Sequence, residues 1–367
     1  MNHKKKLLRC STGVKKVLLI YPAKFVTTYW TAGKLPLEYL KADKKIVSYK
    51  EILPYHVIDA DMYDVDIIYC LRWADRITKQ IYEVAKEMGK PFVYFVDDNF
   101  FIIPEDATLQ KVKEVEAARA FLAKVDVAVV STQALYETVK KYNDNVILLK
   151  PYQKCVDNLM RKTSAVKNDC IVIGHMSSIY RDIHFEFVLP AIKRIIREFG
   201  DKVRFEFIGY KPKELEGYDH VTFFDFLIDY DKFQEFFVSR HWDIGLAPLK
   251  DIPFARSKSN AKFREFGAFK VCGIYSNICC YSECVEHKVS GYIVENTPEA
   301  WYLAMRKLIL DEKLRKRIKK NAYKYVARNH SMKVFCRELM NIFEDTYQKH
   351  YGIVKKGQRY RIKKKSK

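Results

Sequence analysis

The chain has 367 residues, of which 49% are hydrophobic, with 13 glycines and 11 prolines. This length exceeds what one hydrophobic core usually supports, so two domains are expected, and the composition is that of a globular protein, with disorder suggested only near the C-terminus. The formal net charge of +21, from 66 Lys and Arg against 45 Asp and Glu, favours polyanionic partners: nucleic acid, anionic lipid or phosphorylated small molecules.

The first segment, MNHKKKLLRCSTGVKKVLLIYPAK, contains an apolar run of only about eight residues, and Lys15 and Lys16 interrupt the approach to it. Because this run is too short for a signal peptide core or a membrane span, it is interpreted as a first strand. The nine cysteines lack C-x-x-C spacing, which favours a reducing compartment. We therefore expect a cytoplasmic protein.

Five apolar runs of the first half are short, β-branched and continuous, as in strands buried on both faces: VKKVLLIYP, VDIIYC, PFVYFVDD, VDVAVVS and NVILLKP. Amphipathic segments such as ADRITKQIYEVAKEMGK and TQALYETVKKYND separate them. This alternation predicts an α/β domain with a doubly wound parallel sheet.

After a polar stretch the pattern begins again, with six further runs: CIVIGHMSS, VRFEFIGY, HVTFFDF, WDIGLAPL, VCGIYS and GYIVEN. The predicted fold is therefore two doubly wound, Rossmann-like domains that face a cleft. The expected boundaries are a first domain at 1–152, a linker at 153–168, a second domain at 169–333, a helix at 334–352 and a basic tail at 353–367.

Open α/β sheets bind ligands at the carboxyl ends of their strands, so the residues that follow strands are the candidate site residues. In the first half these are Arg72, Asp97 and Asp98. In the second half they are 174–178 with Arg181, Gly209 with Tyr210, and the stretch 247–267. The chain has neither a Walker lysine loop nor a G-x-G-x-x-G motif, which argues against nucleotide hydrolysis and dinucleotide redox chemistry.

The stretch APLKDIPFARSKSNAKFREFG offers a phosphate site of another kind. Ser259 is predicted to cap a helix whose first N–H groups face an anion, with Lys258, Lys262 and Glu265 on one side. Two cations and a carboxylate placed in this way fit a diphosphate and a ribose. The alternative is a routine cap beside a surface ion pair between Lys262 and Glu265.

The sequence from WDIGLAPLKDIPFARSKSNAKFREFGAFKVCGIYS through SGYIVENTPEAWYLAMRKLILDEKLRKRIKKNAYKYVARNHS resembles the C-terminal half of two-domain (GT-B) nucleotide-sugar glycosyltransferases, in the large retaining-type glycosyl transferases group 1 family. That family commonly carries two donor-site Glu separated by seven residues. Glu265 matches the second, which binds the ribose, whereas Ser257 replaces the first. SKSNAKFRE agrees with a subgroup that has Ser-Lys-Ser and a Lys before the retained Glu.

Two further segments resemble the same subgroup. IGHMSSIYRDIHF resembles the first donor-domain loop, which implies that Ser177 and Ser178 lie near the diphosphate and that Arg181 supplies a cation. IIYCLRWADRITKQIYEVAKEMGKPFVYFVDDNFFIIP resembles the first domain. The resemblance also implies that the C-terminal helix crosses back onto that domain. The predicted donor contacts are Ser177, Ser178, Arg181, Gly209, Tyr210, Ser257, Ser259 and Glu265.

The carboxylate pair Asp97 and Asp98 is interpreted as orienting or deprotonating the acceptor hydroxyl. A divalent metal is the alternative for two carboxylates after a strand, and a turn cap is the alternative for Asp98. Because Lys258, Lys262 and Arg181 can neutralise a departing diphosphate, we expect no metal and no other cofactor. Cys279, Cys280 and Cys284 are interpreted as buried thiols, since adjacent cysteines do not easily bind one ion.

The sequence thus predicts a metal-independent glycosyltransferase of cell-surface polysaccharide or glycan assembly, acting on a saccharide or lipid-linked saccharide. The resemblance implies a retaining reaction. The basic segments DEKLRKRIKKNAYKYVARNH and VKKGQRYRIKKKSK fit either an anionic membrane surface, which would make the protein peripheral to it, or a solvated helix face. A noncatalytic subunit that binds nucleotide sugar or glycan is the alternative. Nucleic-acid binding is less favoured, because no recognisable motif supports it.

Overall fold

The computed structural model describes residues 13–24, 26–104, 107–154, 169–177, 182–356 and 359–362. The chain divides into two compact units. Unit 1 comprises Met1–Lys150 together with Lys333–Lys367, and unit 2 comprises Pro151–Met332.

Unit 1 contains a six-stranded, fully parallel sheet in the order β2-β1-β3-β4-β5-β6. Its strands are β1 (Lys16–Ile20), β2 (Ser48–Ile52), β3 (Ile67–Leu71), β4 (Phe92–Val96), β5 (Val127–Val130) and β6 (Val146–Leu148). Its helices are α1 (Leu35–Ala42), α2 (Ala60–Tyr63), α3 (Arg76–Glu87), α4 (Leu109–Leu122) and α5 (Gln133–Val139). A π-helical turn at Tyr29–Lys34 leads into α1, and a 3-10 turn spans Pro54–His56.

Local sequence explains where several of these helices begin. The side chains of Asp75, Thr108 and Thr132 each accept a hydrogen bond from the backbone N–H three residues on, so each caps the first turn of α3, α4 or α5. Every residue of β3, β4 and β5 is buried, as their continuous apolar runs predict. Strand β2 was not predicted, because SYKEI is a polar, half-exposed edge strand.

Unit 2 contains a second six-stranded parallel sheet, in the order β12-β11-β10-β7-β8-β9. Its strands are β7 (Ile171–Met176), β8 (Val203–Ile208), β9 (Val221–Phe224), β10 (Ile244–Ala247), β11 (Cys272–Ser276) and β12 (Tyr292–Val294). Its helices are α6 (Asp182–Phe185), α7 (Leu189–Phe199), α8 (Tyr230–Ser239), α9 (Pro253–Arg256), α10 (Ala261–Ala268), α11 (Cys279–Ser282), α12 (Pro298–Leu310) and α13 (Glu312–Asn329). Short 3-10 turns span Gly200–Lys202 and Lys213–Leu215.

Helix α14 (Met332–Tyr351) packs on unit 1, although it follows unit 2 in the chain. The ring of Phe343 meets Tyr69 of β3 edge to face at 5.1 Å between ring centroids. Glu344 Oε1 accepts a hydrogen bond from the backbone N–H of Val14 at 3.0 Å. The chain then forms an antiparallel hairpin of β13 (Ile353–Lys356) and β14 (Arg359–Ile362).

The sheet of unit 2 carries a hydrophobic core on each face, and the residues of β3, β4 and β5 in unit 1 are buried on both sides of its sheet. The six predicted strands of unit 2 are all present. The prediction of two doubly wound, Rossmann-like domains is therefore confirmed. Within the described part of the chain, no helix combines the length and the apolar character that crossing a bilayer demands.

The strand orders identify one place in each sheet where successive connections turn to opposite sides. In unit 1 this switch point lies between β1 and β3, and in unit 2 it lies between β7 and β10. Loops leave such a point in opposite directions, which opens a crevice at the carboxyl ends of the two strands where ligands bind.

Candidate active site

At the switch point of unit 1, Arg72 contacts both predicted acceptor-side carboxylates. Its Nη1 lies 3.0 Å from Asp97 Oδ1, and its Nη2 lies 2.9 Å from Asp98 Oδ2. These three side chains are 20–24% exposed. The guanidinium therefore forms an ion-paired cluster at the ends of β3 and β4, still in reach of solvent.

Thr28, which follows β1, completes this cluster from the other strand of the switch point. Its Oγ1 donates to Asp97 Oδ2 and accepts from Arg72 Nη1 at 3.0 Å. Thr28 is buried, so its hydroxyl orientation is set by these two partners. Sequence reasoning had not assigned Thr28 a role. Its only signal was its position in the long loop after the first strand.

The backbone at Arg72 adopts a left-handed conformation, with φ at +64°. This conformation is uncommon for a residue with a side chain and costs about 1–3 kcal/mol. Two hydrogen bonds hold it: Arg72 N–H donates to the Phe95 carbonyl, and Tyr94 Oη donates to the Arg72 carbonyl, each at 2.7 Å. The Phe100 ring lies 5.0 Å from the guanidinium carbon.

Burial raises the pKa of Asp97. Arg72 acts against this increase, the neighbouring Asp98 adds to it, and the Thr28 hydroxyl lowers the pKa again. Because a raised pKa makes a carboxylate a better proton acceptor, the cluster suits Asp97 to take a proton from a hydroxyl group. No helix begins at Asp98, and α4, the next helix described, is capped by Thr108. A role for Asp98 as a cap of the turn that follows β4 stays the alternative.

At the switch point of unit 2, the end of β7 is held by a buried histidine. His175 Nδ1 lies 2.8 Å from the Leu246 carbonyl of β10, and its Nε2 lies 2.9 Å from Ser177 Oγ. The imidazole thus links the two strands and positions the Ser177 hydroxyl just beyond β7. Ser178 and Arg181, the other residues predicted in this loop, lie outside the described residues.

Gly209 brings the neighbouring strand end close to Ser177. Its φ is +86°, and a Cβ at this position would overlap the Ser177 carbonyl oxygen. Only glycine fits both conditions. Tyr210, predicted beside it as a donor contact, is instead buried in the hydrophobic core against Phe185, at 4.9 Å between centroids. In this structure its ring therefore packs in the core of unit 2, and its contact with the donor stays a prediction.

The loop after β10 is braced on both sides before it reaches the predicted phosphate residues. Ser276 Oγ accepts a hydrogen bond from Leu249 N–H at 2.8 Å and donates one to Asn296 Oδ1 at 2.6 Å. Asn296 Nδ2 in turn donates to the Leu249 carbonyl at 2.9 Å. His184 Nδ1 accepts from Lys250 N–H at 3.1 Å. This bracing gives the following segment a defined starting point.

The prediction that Ser259 caps the next helix is wrong. Helix α10 begins at Ala261 with Asn260 at the N-cap, and no side chain makes the capping hydrogen bond. Both residues instead face Arg264: Asn260 Oδ1 accepts from its Nε at 2.9 Å, and Ser259 Oγ lies 3.4 Å from its Nη2. The serine and asparagine oxygens are occupied by a guanidinium from the next turn, which competes with capping.

In the segment around α10, Arg264 is a residue that the sequence analysis did not single out. It is buried, and its Nη1 donates to the Tyr152 carbonyl at 2.5 Å. Burial lowers the pKa of the guanidinium, and Glu265 acts in the opposite direction, but an arginine in a protein stays charged. A signal was present in the i, i+4 spacing of Asn260 and Arg264 beside the apolar face of the helix.

Lys262 and Glu265 form an ion pair one turn apart on α10, with 2.6 Å between Nζ and Oε2. The side chains are 23% and 13% exposed, so the pair is more enclosed than a typical surface pair. Lys258 precedes the helix, with its Nζ 4.5 Å from the centroid of the Phe254 ring, and Ser257 is buried where α9 ends. The segment thus presents two cations and one carboxylate close together in sequence.

The cysteines next to this segment carry free thiols. Cys279 Sγ donates to the Arg256 carbonyl at 3.0 Å, and Cys284 Sγ accepts from Asn260 Nδ2 at 3.4 Å. Burial raises the pKa of Cys284 to about 11. Among the residues that the structure describes, no group of three His, Cys, Asp or Glu is arranged to hold a metal ion.

Comparison with known proteins locates a family match in this same region. The family model described as glycosyl transferases group 1 matches residues 262–325. No curated protein sequence matches the chain at a significant level.

Solved structures match over most of the chain. A glycosyltransferase from Rickettsia africae is 15% identical, with a TM-score of 0.63, covering 91% of this chain and 98% of that one. HepE of Anabaena, solved with UDP and glucose, is 11% identical, with a TM-score of 0.64 and coverage of 90% and 100%. Sucrose-phosphate synthase of Thermosynechococcus elongatus is 10% identical, with a TM-score of 0.67 and coverage of 91% and 100%. The resemblance to GT-B glycosyltransferases is confirmed in fold over the chain and in sequence over 262–325.

Proposed function

We propose that the protein transfers a sugar from a nucleoside-diphosphate sugar to a saccharide or lipid-linked saccharide acceptor. The proposal rests on one observation: the family match and the ligand-binding edge of the unit 2 sheet involve the same segment of the chain. The segment matched by the glycosyltransferase family model begins at Lys262 and includes Glu265, and it follows the braced loop at the switch point of unit 2. That is where a doubly wound sheet binds its ligand.

Unit 2 takes the donor in this proposal. Lys258 and Lys262 bind the diphosphate, and Ser177 and Gly209 approach it from the ends of β7 and β8. Glu265 accepts hydrogen bonds from the ribose, which requires Lys262 to move from the carboxylate toward the phosphate when the nucleotide binds. The neighbouring Ser257, Ser259, Ser178 and Arg181 remain proposed donor contacts, and HepE, solved with UDP-glucose, supports a donor of this class.

The chemistry of transfer explains why cations are needed there. The bond between the anomeric carbon and the diphosphate oxygen breaks, and negative charge develops on the departing nucleoside diphosphate. Lysines that lie beside this oxygen once the nucleotide has bound stabilise the transition state more than the ground state, which is what raises the rate. We therefore propose a reaction without metal or other cofactor, and a retaining outcome as in the family that the chain resembles.

Unit 1 takes the acceptor. The acceptor oxygen forms the new bond to the anomeric carbon and loses its proton to Asp97 or Asp98. The raised pKa of Asp97 favours it as the proton acceptor, and Arg72 holds both carboxylates in place. Polysaccharide or glycan assembly at the cytoplasmic face of a membrane is the proposed setting, with the anionic surface of that membrane as a partner.

Thermal unfolding measured with a panel of nucleoside diphosphates and their sugars tests the donor assignment. A ligand that binds the folded chain should raise the melting temperature by an amount that depends on its affinity. Incubating the stabilising sugar nucleotide with the protein and candidate acceptors should then release nucleoside diphosphate. If no member of the panel shifts unfolding, the donor site is wrong.

A noncatalytic subunit that binds nucleotide sugar or glycan is the second candidate. The observation that favours it is Ser257, which stands where the family commonly has the first of its two glutamates, so the carboxylate that contacts the sugar there is missing. Saturable binding of the sugar nucleotide without any release of diphosphate, with or without acceptor, would identify this alternative.

A further inference from the structure

Helix α13 presents a strongly basic face on unit 2. The helix contains eight Lys and Arg residues and a single acid, Glu312, which pairs with Lys316 at 2.7 Å. Two of the cations turn inward: Arg315 donates to the carbonyls of Leu308 and Ile309, and Lys319 pairs with Asp243 at 3.1 Å. The other six are exposed, and they are Lys313, Lys316, Arg317, Lys320, Lys324 and Arg328.

The spacing of these residues makes the face linear. Lys313, Arg317, Lys320 and Lys324 recur at intervals of four, three and four residues, which places them along one side of the helix. With Arg328 the row spans about 22 Å at 1.5 Å per residue. We name these five residues the α13 basic row.

The opposite side of α13 is apolar and packed, so the row has a fixed orientation. Leu314 and Ile318 lie in the core on one face of the sheet, and Ala322 and Val326 lie in the core on the other. A Cβ at Gly267 of α10 would lie 2.6 Å from a methyl group of Val326, a measure of how closely the two helices pack. The cations therefore stay on the solvent side when the helix is folded.

The middle of the basic row is separate from the proposed donor site, whereas its C-terminal end approaches the first turn of α10, where the rings of Tyr325 and Phe263 lie 5.5 Å apart. Asp243, which holds the middle of α13 through Lys319, immediately precedes β10 and so lies at the amino edge of the sheet. Ser177, Gly209 and the loop beginning at Leu249 follow their strands at the carboxyl edge. A diphosphate bound at the carboxyl edge would leave the basic row available to a second anion.

The composition of the row favours a diffuse anionic surface over an anion that is recognised in detail. Three of its five residues are lysines, which act as mobile point charges, and arginines with their planar forks are the minority. Leu310, 60% exposed, comes one residue before the residue that caps α13. An exposed apolar residue three positions before Lys313 suits the interface of a lipid bilayer and contributes nothing to binding a nucleic-acid backbone.

We propose that the α13 basic row binds the surface of an anionic lipid bilayer. Each Lys or Arg near such a surface adds attraction that falls off within a Debye length, so a row of five gives reversible, salt-sensitive adsorption. The proposal rests on the proposed function only for its purpose, which is to hold the enzyme where lipid-linked acceptors are found.

The experiment uses the full chain and two kinds of vesicle, phosphatidylcholine alone and phosphatidylcholine mixed with phosphatidylglycerol. Sedimentation should carry the protein down with the anionic vesicles, and added salt should release it. The variant Lys313→Glu, Arg317→Glu, Lys320→Glu, Lys324→Glu should need at least about tenfold more anionic lipid for half binding. The charge-keeping variant Lys313→Arg, Lys320→Arg, Lys324→Arg should bind like the unmodified protein.

A matched control makes the same change in net charge on unit 1. The exposed lysines of α4 and of the segment after α5 serve here, as Lys111→Glu, Lys113→Glu, Lys140→Glu, Lys141→Glu. This variant should retain most vesicle binding. If it loses as much as the α13 variant, net charge explains adsorption and the assignment to α13 is overturned. If the α13 variant binds as tightly as the unmodified protein, the N-terminal or C-terminal basic segments are responsible, and the proposal is wrong.

Two more measurements distinguish this proposal from its neighbours. The rate of donor hydrolysis without vesicles should be the same in the α13 variant as in the unmodified protein. An unchanged rate also shows that the variant is folded. Failure of the proposed chemistry and failure of the membrane proposal are therefore separate results. If the unmodified protein binds duplex DNA at lower concentration than anionic vesicles, and the α13 variant loses that binding, the row is a nucleic-acid surface instead.

Discussion

Arg72 Nη2 lies 2.9 Å from Asp98 Oδ2, and the same guanidinium reaches Asp97 with its other terminal nitrogen. One cation therefore serves two adjacent carboxylates that would otherwise repel each other at the end of β4. The left-handed backbone of Arg72 is the cost of aiming the guanidinium at both.

Replacing Arg72 by Gln should destabilise the fold by about 2–4 kcal/mol, because two partly buried carboxylates lose their counter-ion. The loss should be smaller in mildly acidic buffer. Burial already raises the pKa of Asp97, and without Arg72 that pKa rises further, so the folded state binds a proton more readily than the unfolded state. The stability of the variant then falls as the pH rises from the pKa of Asp97 in the unfolded state to its higher pKa in the folded state.

Urea unfolding at several pH values measures this effect. The control is Arg194→Gln, which removes an exposed arginine that pairs with Glu299 on the surface of unit 2. That substitution should cost less than about 1 kcal/mol, with little dependence on pH. Equal losses in the two variants would mean that Arg72 has no special role in holding the carboxylates.

Removing either partner of the Lys262–Glu265 pair should separate binding from turnover. Glu265→Ala should weaken nucleoside diphosphate binding by about tenfold, the effect of losing one charged hydrogen bond. Lys262→Ala should lower turnover by about 10²-fold or more, because charge on the leaving diphosphate is no longer stabilised. Isothermal titration with the nucleotide and a diphosphate-release assay measure the two effects.

The exposed Lys232→Ala of α8 is the matched control for these two variants and should alter neither quantity. Full activity in both Glu265→Ala and Lys262→Ala would mean that the donor site lies elsewhere in the chain.

Gly209→Ala should damage the donor site more than its backbone conformation alone explains. Gly209 and Gly217 both have positive φ, at +86° and +80°, but a Cβ at Gly217 meets nothing within 4 Å. Gly217→Ala should therefore cost about 1 kcal/mol of stability and leave nucleotide affinity unchanged. Gly209→Ala should in addition displace Ser177 and weaken nucleotide binding.

Thermal unfolding with and without the nucleotide compares the two glycine variants. Unchanged nucleotide affinity in Gly209→Ala would show that the ends of β7 and β8 do not contribute to the donor site.

Arg264→Met should loosen the segment before α10. The Tyr152 carbonyl, Asn260 and Ser259 all face the guanidinium, and losing a buried donor of this kind costs about 1–3 kcal/mol. Because the same residues lie beside Lys258, nucleotide affinity should fall together with the melting temperature.

Arg197→Met, on the exposed side of α7, removes the same charge without a buried partner and should change neither measurement. If Arg264→Met loses stability but keeps full nucleotide affinity, Arg264 supports the fold and does not position the phosphate segment.

Apolar patterns along the chain predict most of the strands and helices correctly, because burial of a strand or helix face imposes a period that is local in sequence. The same patterns locate Asp97, Asp98, Ser177 and the segment around Lys262 at strand ends. The apolar patterns do not predict the edge strand β2, because SYKEI is too polar and too exposed to show the pattern of a buried strand.

The partner of each side chain at those strand ends depends on which strands become neighbours, and that order arises from packing between distant segments. The order of strands puts Thr28 beside Arg72 and His175 beside the Leu246 carbonyl. Packing also turns Tyr210 into the core and gives the oxygens of Ser259 and Asn260 to Arg264 instead of to the helix they precede. Local propensity could not anticipate these outcomes, because the partners come from neighbouring strands or, for Arg264, from the Tyr152 carbonyl 112 residues away in sequence.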